Sequence, residues 1–167
     1  IPEIAKILRD KNINFEWSII GYGSKKIRDF FGMKEFDNFF KYFDNIENLE
    51  EEIFPHSKLI KILKENHLYV NLSRIESFGV TIIESLAANL PVITFDTKGG
   101  NELIVDNYNG KILKNFSTIE MANSIINYQK NKYLYKNHQK NTLLSVDKFN
   151  LRRNTEKTIA IYEKLKL

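Results

Sequence analysis

Apolar residues recur along the chain in two alternating rhythms. Residues 1–11 place Ile1, Ile4, Ile7 and Leu8 on one face at helical spacing, which predicts a helix. Residues 15–20 (FEWSII) predict a strand, ended by Gly21-Tyr22-Gly23-Ser24. Residues 25–31 predict a short helix closed by Gly32. A second strand is expected at 39–43 (FFKYF), then a polar, acidic loop at 44–52. Residues 57–66 (SKLIKILKEN) predict an amphipathic helix that starts on a Ser57 cap after Pro55. Residues 68–72 (LYVNL) predict a short buried strand, and a glycine-containing turn leads into a helix at 81–89. Pro91 opens a strand over PVITF. Lys98-Gly99-Gly100 predicts a loop, with Asn101 capping a short helix through Val105 and a turn at 107–110. Helices are expected at 117–128, 133–146 and 151–165, the first opened by Ser117 and Glu120 in capping-box spacing.

Strands and helices alternate in this order, which argues for one domain over 1–167 with a parallel sheet covered by helices on both faces. Such sheets bind ligands at the carboxyl ends of their strands. The loops at 21–24, 44–47, 73–80 and 96–101 each follow a strand, so they are expected along one edge.

The stretch 73–84 (SRIESFGVTIIE) holds the most informative chemistry. Seven residues separate Glu76 from Glu84, and Phe78-Gly79 lies between them. A glycine turn that enters a helix presents free N–H groups at a positive dipole end, where phosphate binds. The amides of Phe78, Gly79 and Val80 can meet a diphosphate, and Gly79 permits close approach. A carboxylate accepts two hydrogen bonds from vicinal hydroxyls, so Glu84, expected on the first helical turn, suits a ribose. Glu76, on the turn, can bind sugar hydroxyls or stabilise positive charge at an anomeric carbon. A bland reading also exists: Thr81-x-x-Glu84 matches a capping box, as do Ser73-x-x-Glu76 and Ser117-x-x-Glu120. The pair of acids, the Phe-Gly turn and the preceding buried strand favour a ligand rich in hydroxyls and phosphate. Gly21-x-Gly23 lacks the third glycine of a dinucleotide fingerprint and counts against an NAD domain. Gly99 follows the next strand, in position to close over the ligand.

Composition narrows the class. Hydrophobic residues make up 43% of 167, enough to bury a core. No run of eighteen apolar residues predicts a membrane span, and the start IPEIAKILRD has no signal pattern. It also lacks an initiator Met, so a fragment of a longer protein is expected. Cysteine is absent, which excludes disulfides and thiolate metal sites and fits a cytoplasmic setting. His56, His67 and His138 have no ligand spacing, so no metal is expected. The net charge of +4 reads as a solvated surface, with no nucleic acid partner; phosphate-rich ligands and an anionic membrane face are the sharper readings.

The segment SRIESFGVTIIESLAANLPVITFDTKGGNELIVDNYNGKIL resembles the donor-binding core of retaining glycosyltransferases of family 4, the "group 1" transferases of the GT-B fold. The strong match runs over residues 68–113. WSIIGYG, SKLIKILKENHLYVNLS and FNLRRNTEKTIAIYEKL carry a weaker likeness. The resemblance implies a Rossmann-like C-terminal half of a GT-B enzyme. It binds a nucleotide-diphosphate sugar, UDP- or GDP-hexose, with no other cofactor. It implies Glu76 beside the anomeric centre, Glu84 on the ribose, Ser77, Phe78, Gly79 and Val80 along sugar and phosphate, and Asn45 and Ile46 beside the base. Gly21, Gly23 and Gly99 join the donor-binding set. Leu72 stands where the family has Pro, Asn89-Leu90 replaces Gly-x before Pro91, and Asn101 replaces a Pro. The implied parent transfers a hexose, with retention, to a glycan or lipid-linked acceptor in polysaccharide assembly at the inner membrane face. The acceptor domain and the first strand, with its diphosphate-binding Arg and Lys, are expected to be missing and the isolated fragment inactive. A synthase- or phosphorylase-like GT-B protein is a second reading. A non-catalytic doubly wound module that binds a nucleotide or partner is a third.

Overall fold

The computed structural model describes residues 1–21, 26, 29–43 and 56–165. They group into two compact units. One is Ile1–Ile62 with Ser117–Lys130, the other Leu63–Phe116 with Asn131–Leu167. The elements in order are α1 (Pro2–Asp10), β1 (Trp17–Ile20), a 3-10 helix (Met33–Phe39), β2 (Phe40–Phe43), α2 (His56–Lys64), β3 (Tyr69–Asn71), α3 (Val80–Ala87), β4 (Val92–Phe95), α4 (Lys98–Leu103), β5 (Gly110–Leu113), α5 (Thr118–Lys130), α6 (Lys132–Val146), a 3-10 turn (Asp147–Phe149) and α7 (Leu151–Leu165).

In the first unit β1 and β2 pair in parallel, Trp17 opposite Phe40 and Ile20 opposite Phe43. The apolar stripe of α1 buries Ile4, Ala5 and Leu8. Ala5, Ile19, Phe36 and Phe40 form a core lined by Phe15, Trp17 and Phe39. The Phe15 and Phe39 rings stack at 4.9 Å. Lys11 Nζ donates to Asn123 Oδ1 (3.2 Å) and Gln129 Nε2 to the Asn14 carbonyl (2.8 Å), which tie α1 and its exit to α5. The Ser117 hydroxyl accepts from the Glu120 amide (3.2 Å), so that expected cap is present.

In the second unit β4 lies between β3 and β5, all parallel. All four β4 residues are buried, as expected for a central parallel strand. Ile82 and Leu86 of α3 pack with Val92, Leu103 and Ile104. Asn89 follows α3 at φ 68°, the left-handed position that ends helices, where asparagine is the usual substitute for glycine. Its Oδ1 accepts from the Thr142 hydroxyl of α6 (3.0 Å), a bond that glycine could not make.

Parallel pairing and covering helices agree with the expected α/β class. The described strands are hydrogen-bonded in two groups, β1 with β2 and β3 with β4 and β5, each packed on a core of its own. Ser57 does not cap α2, because the helix already includes His56. Residues 98–100 are helical rather than a loop, and the cap is Thr97, whose hydroxyl accepts from the Gly100 amide (3.2 Å), not Asn101. Asn101 instead bonds Asp96 through its side chain (2.6 Å). The loop expected at 44–52, with Asn45 and Ile46, lies outside the described residues, as does Gly23.

Candidate functional site

The site grows from the end of β3. Asn71, buried in a strand of otherwise apolar neighbours, donates to Thr94 Oγ1 (3.4 Å) and accepts from the Ser73 amide (3.1 Å). That asparagine ends the strand and turns the chain outward. The loop 72–78 then reaches Gly79, at φ 80° and ψ 53°. A side chain is strained there, and an added Cβ would also sit 3.0 Å from Ile82 Cδ1. Gly79 thus starts α3 without a side-chain cap.

Ile82 and Ile83 both donate to the Gly79 carbonyl (2.9 and 3.2 Å). The amides ahead of them, on Val80 and Thr81, open the helix without a partner one turn back, and the dipole makes this end positive. Ser77 and Val80 are exposed, and Phe78 is 44% exposed. The Phe78 ring meets Phe149 edge-on at 6.0 Å.

Both glutamates are half-buried. Glu84 is the fifth residue of α3, so it stands on the second turn and not, as expected, on the first. The capping-box reading of Thr81 and Glu84 fails for the same reason, since the helix starts two residues before that box requires. The Thr81 hydroxyl has another partner, accepting from Tyr69 Oη at 2.9 Å. Burial chiefly pushes the Tyr69 phenol above its ordinary value; the Thr81 bond acts the other way, while Glu76 and Glu84 both push it up further. A Cβ on Gly79 would lie 3.4 Å from Glu76 Cγ, so the Glu76 side chain runs beside the start of α3, and Glu84 stands one turn into that helix.

Gly99 is buried inside α4 and packs on the glutamate loop. Its amide donates to the Glu76 carbonyl (2.9 Å). A Cβ there would lie 2.7 Å from Phe78 N, 2.8 Å from Ser77 C and 2.9 Å from the Glu76 carbonyl oxygen. Its role in this geometry is close backbone approach that braces the loop. The loops after β3 and β4 therefore meet at the carboxyl ends of their strands. Gly21 belongs to the first unit, where its amide donates to the Phe43 carbonyl (3.2 Å).

Sequence reasoning missed Tyr69, Thr81, Thr97 and Asn71. Asn71 was signalled as a polar residue inside an apolar strand, and Thr97 as a threonine just ahead of a glycine-rich helix. Nothing local marks Tyr69. Among the described residues, no group of three His, Asp or Glu side chains could hold a metal ion, and no helix is long and apolar enough to cross a membrane.

The sequence pattern of the family described as "Glycosyl transferases group 1" matches residues 2–145. The poly(ribitol-phosphate) alpha-N-acetylglucosaminyltransferase of Staphylococcus aureus is 29% identical over 136 residues, 79% of this chain and 25% of that protein. An uncharacterised glycosyltransferase of Methanocaldococcus jannaschii is 26% identical over 157 residues, 93% of this chain and 42% of that protein. The chain thus spans well under half the length of these curated relatives. Among solved structures, the pneumococcal O-GlcNAc transferase in complex with UDP and GlcNAc superposes at TM-score 0.75 with 18% identity, covering 98% of this chain and 32% of that one. Sucrose-phosphate synthase of Thermosynechococcus elongatus gives 0.78 with 18% identity, covering 98% and 42%. Both likenesses are of fold.

Proposed function

The chain belongs to the group 1 glycosyl transferases, and we propose that it is the donor-binding domain of an enzyme that moves a sugar from a nucleotide diphosphate to an acceptor with retained anomeric configuration. The observation that supports this reading is the Glu76 loop set against the start of α3 and braced by Gly99, with Glu84 one turn into that helix.

In this reading the diphosphate sits against the first-turn amides of α3, where oriented N–H groups and the helix dipole offset its charge as the sugar departs. Glu84 accepts from the ribose hydroxyls. Glu76, half-buried on the loop, faces the sugar and stabilises positive charge at its anomeric carbon. Catalysis then rests on positioning and on charge stabilisation of the leaving diphosphate. A solved relative holds UDP, and so does a second structural neighbour, which supports UDP over GDP as the carrier. We assign a hexose or N-acetylhexosamine as the sugar, in keeping with the relatives' names. The acceptor, a glycan or lipid-linked sugar handled on the cytoplasmic side of the membrane, is assigned to a part of the enzyme beyond this domain.

The test is amide chemical-shift perturbation with UDP, GDP, ADP and their hexose conjugates, on the wild type and Glu84→Ala. Shifts centred on 76–84 with one base, weakened by the substitution, are expected. Shifts elsewhere, or none with any of these ligands at millimolar concentration, would overturn the assignment.

A further inference from the structure

We propose that Tyr69 is a positioning residue of the donor site, fixing the first turn of α3 through its hydrogen bond to Thr81. The inference rests on the donor-site reading above and adds to it a residue from the far end of β3. Tyr69 opens that strand opposite Val92, and its ring packs on the Ile82–Leu86 core. Its hydroxyl reaches along α3 to Thr81 Oγ1 at 2.9 Å. Thr81 is the second residue of the helix, within its first turn, and Glu84 lies three residues on along the same face.

The bond replaces a common alternative. A hydroxyl residue inside a helix usually turns back to the carbonyl four residues earlier, which bends the helix slightly. Ser85 does this one turn later, donating to the Thr81 carbonyl at 2.7 Å. Tyr69 instead engages the Thr81 hydroxyl from β3, so the first turn is tied to the sheet. The glycine at 79 contributes no side-chain cap, and this tether is a side-chain hydrogen bond from the sheet to the helix start. A ligand held by first-turn amides and by Glu84 is sensitive to small displacements of that turn.

Nucleotide affinity in Tyr69→Phe, Thr81→Val and the double variant tests this, with titration calorimetry of UDP, GDP and ADP into each chain and thermal unfolding in parallel. Loss of one neutral hydrogen bond predicts up to about a fivefold rise in Kd for each single variant. The double variant should show the same rise rather than its square, about twenty-fivefold, because both substitutions remove one shared bond. Thr81→Ser, which keeps the hydroxyl, should restore wild-type Kd. Weakened unfolding temperature with unchanged Kd would show a purely structural role and overturn the proposal. So would additive losses or failure of Thr81→Ser to rescue. Should Tyr69→Phe not fold, Thr81→Val, at an exposed position, carries the test with its serine control. Wild-type chain that binds none of UDP, GDP and ADP would refute the donor reading itself, whereas wild-type binding with unaffected variants refutes only the role of Tyr69.

Discussion

Replacement of Gly99 by alanine is the sharpest probe of how the site is braced. The added methyl would meet three backbone atoms, Phe78 N, Ser77 C and the Glu76 carbonyl oxygen, at 2.7 to 2.9 Å. None belongs to a flexible side chain, so either α4 or the glutamate loop must move. Overpacking of this kind costs about 1–3 kcal/mol. Movement also stretches the 2.9 Å bond from the Gly99 amide to the Glu76 carbonyl, a loss of about 1 kcal/mol. Against this stands the better helix propensity of alanine, worth up to about 1 kcal/mol at a helical position. The balance is a destabilisation of about 1–3 kcal/mol. For a chain of this size that lowers the unfolding temperature by about 3–10 °C. Urea titration gives the free energy, and amide shifts of residues 76–80 show whether the loop has moved. Lys98→Ala, exposed and one residue earlier, is the control and should change stability by less than about 0.5 kcal/mol. A Gly99→Ala variant as stable as wild type, with unmoved loop amides, would refute the close-approach argument.

Further perturbations follow from the same geometry. Glu84→Gln keeps the shape but removes the charge that strengthens bonds to ribose, so UDP should bind about ten- to a hundredfold more weakly while inorganic pyrophosphate is unaffected; equal loss for both would show that Glu84 does not face the ribose. Asn89→Ala places a methyl-bearing residue without a local hydrogen bond at φ 68° and removes the Thr142 contact, costing roughly 2–3 kcal/mol, and Asn89→Gly about 1 kcal/mol because only the contact is lost; the two are ranked by urea midpoint. Burial holds His138 below its ordinary value, so its contribution to stability is complete above about pH 6.5 and drains as pH falls from there through the lowered folded value. Urea midpoints at pH 7.5 and 5.5 should show the loss, and His138→Gln should reduce it; equal midpoints in wild type would contradict the assignment. Burial would raise the Asp106 carboxyl, but the Ile112 amide and Lys111 outweigh it and hold it low, so its stabilisation stands above about pH 4 and is lost below, where Asp106→Asn should show the smaller drop.

The second unit was legible because its signals are local. Short apolar runs marked β3 and β4, and the glycine turn at Gly79 marked the helix that follows; Asn71 and Asn89 act just as locally, but their roles in ending a strand and a helix became visible only in the structure. Glu76 and Glu84 share one stretch, so spacing and turn chemistry point to them as candidates without any long-range information. What failed was the reading of patterns whose meaning depends on residues elsewhere. Ser117-x-x-Glu120 is a true cap and Thr81-x-x-Glu84 is not, though the spacing is the same, because Gly79 starts α3 early and Tyr69 occupies the Thr81 hydroxyl. Gly99-Gly100 reads as a loop by propensity, yet it is helical. The absence of side chains there answers to a backbone more than twenty residues upstream, and Thr97 supplies the cap that two glycines need. The groups with chemistry thus lie in one short run, while the groups that hold it in place arrive from β3 and α4. A sequence motif names the first set readily and the second poorly, which is why substitutions at Tyr69 and Gly99 test the site as directly as those at the glutamates.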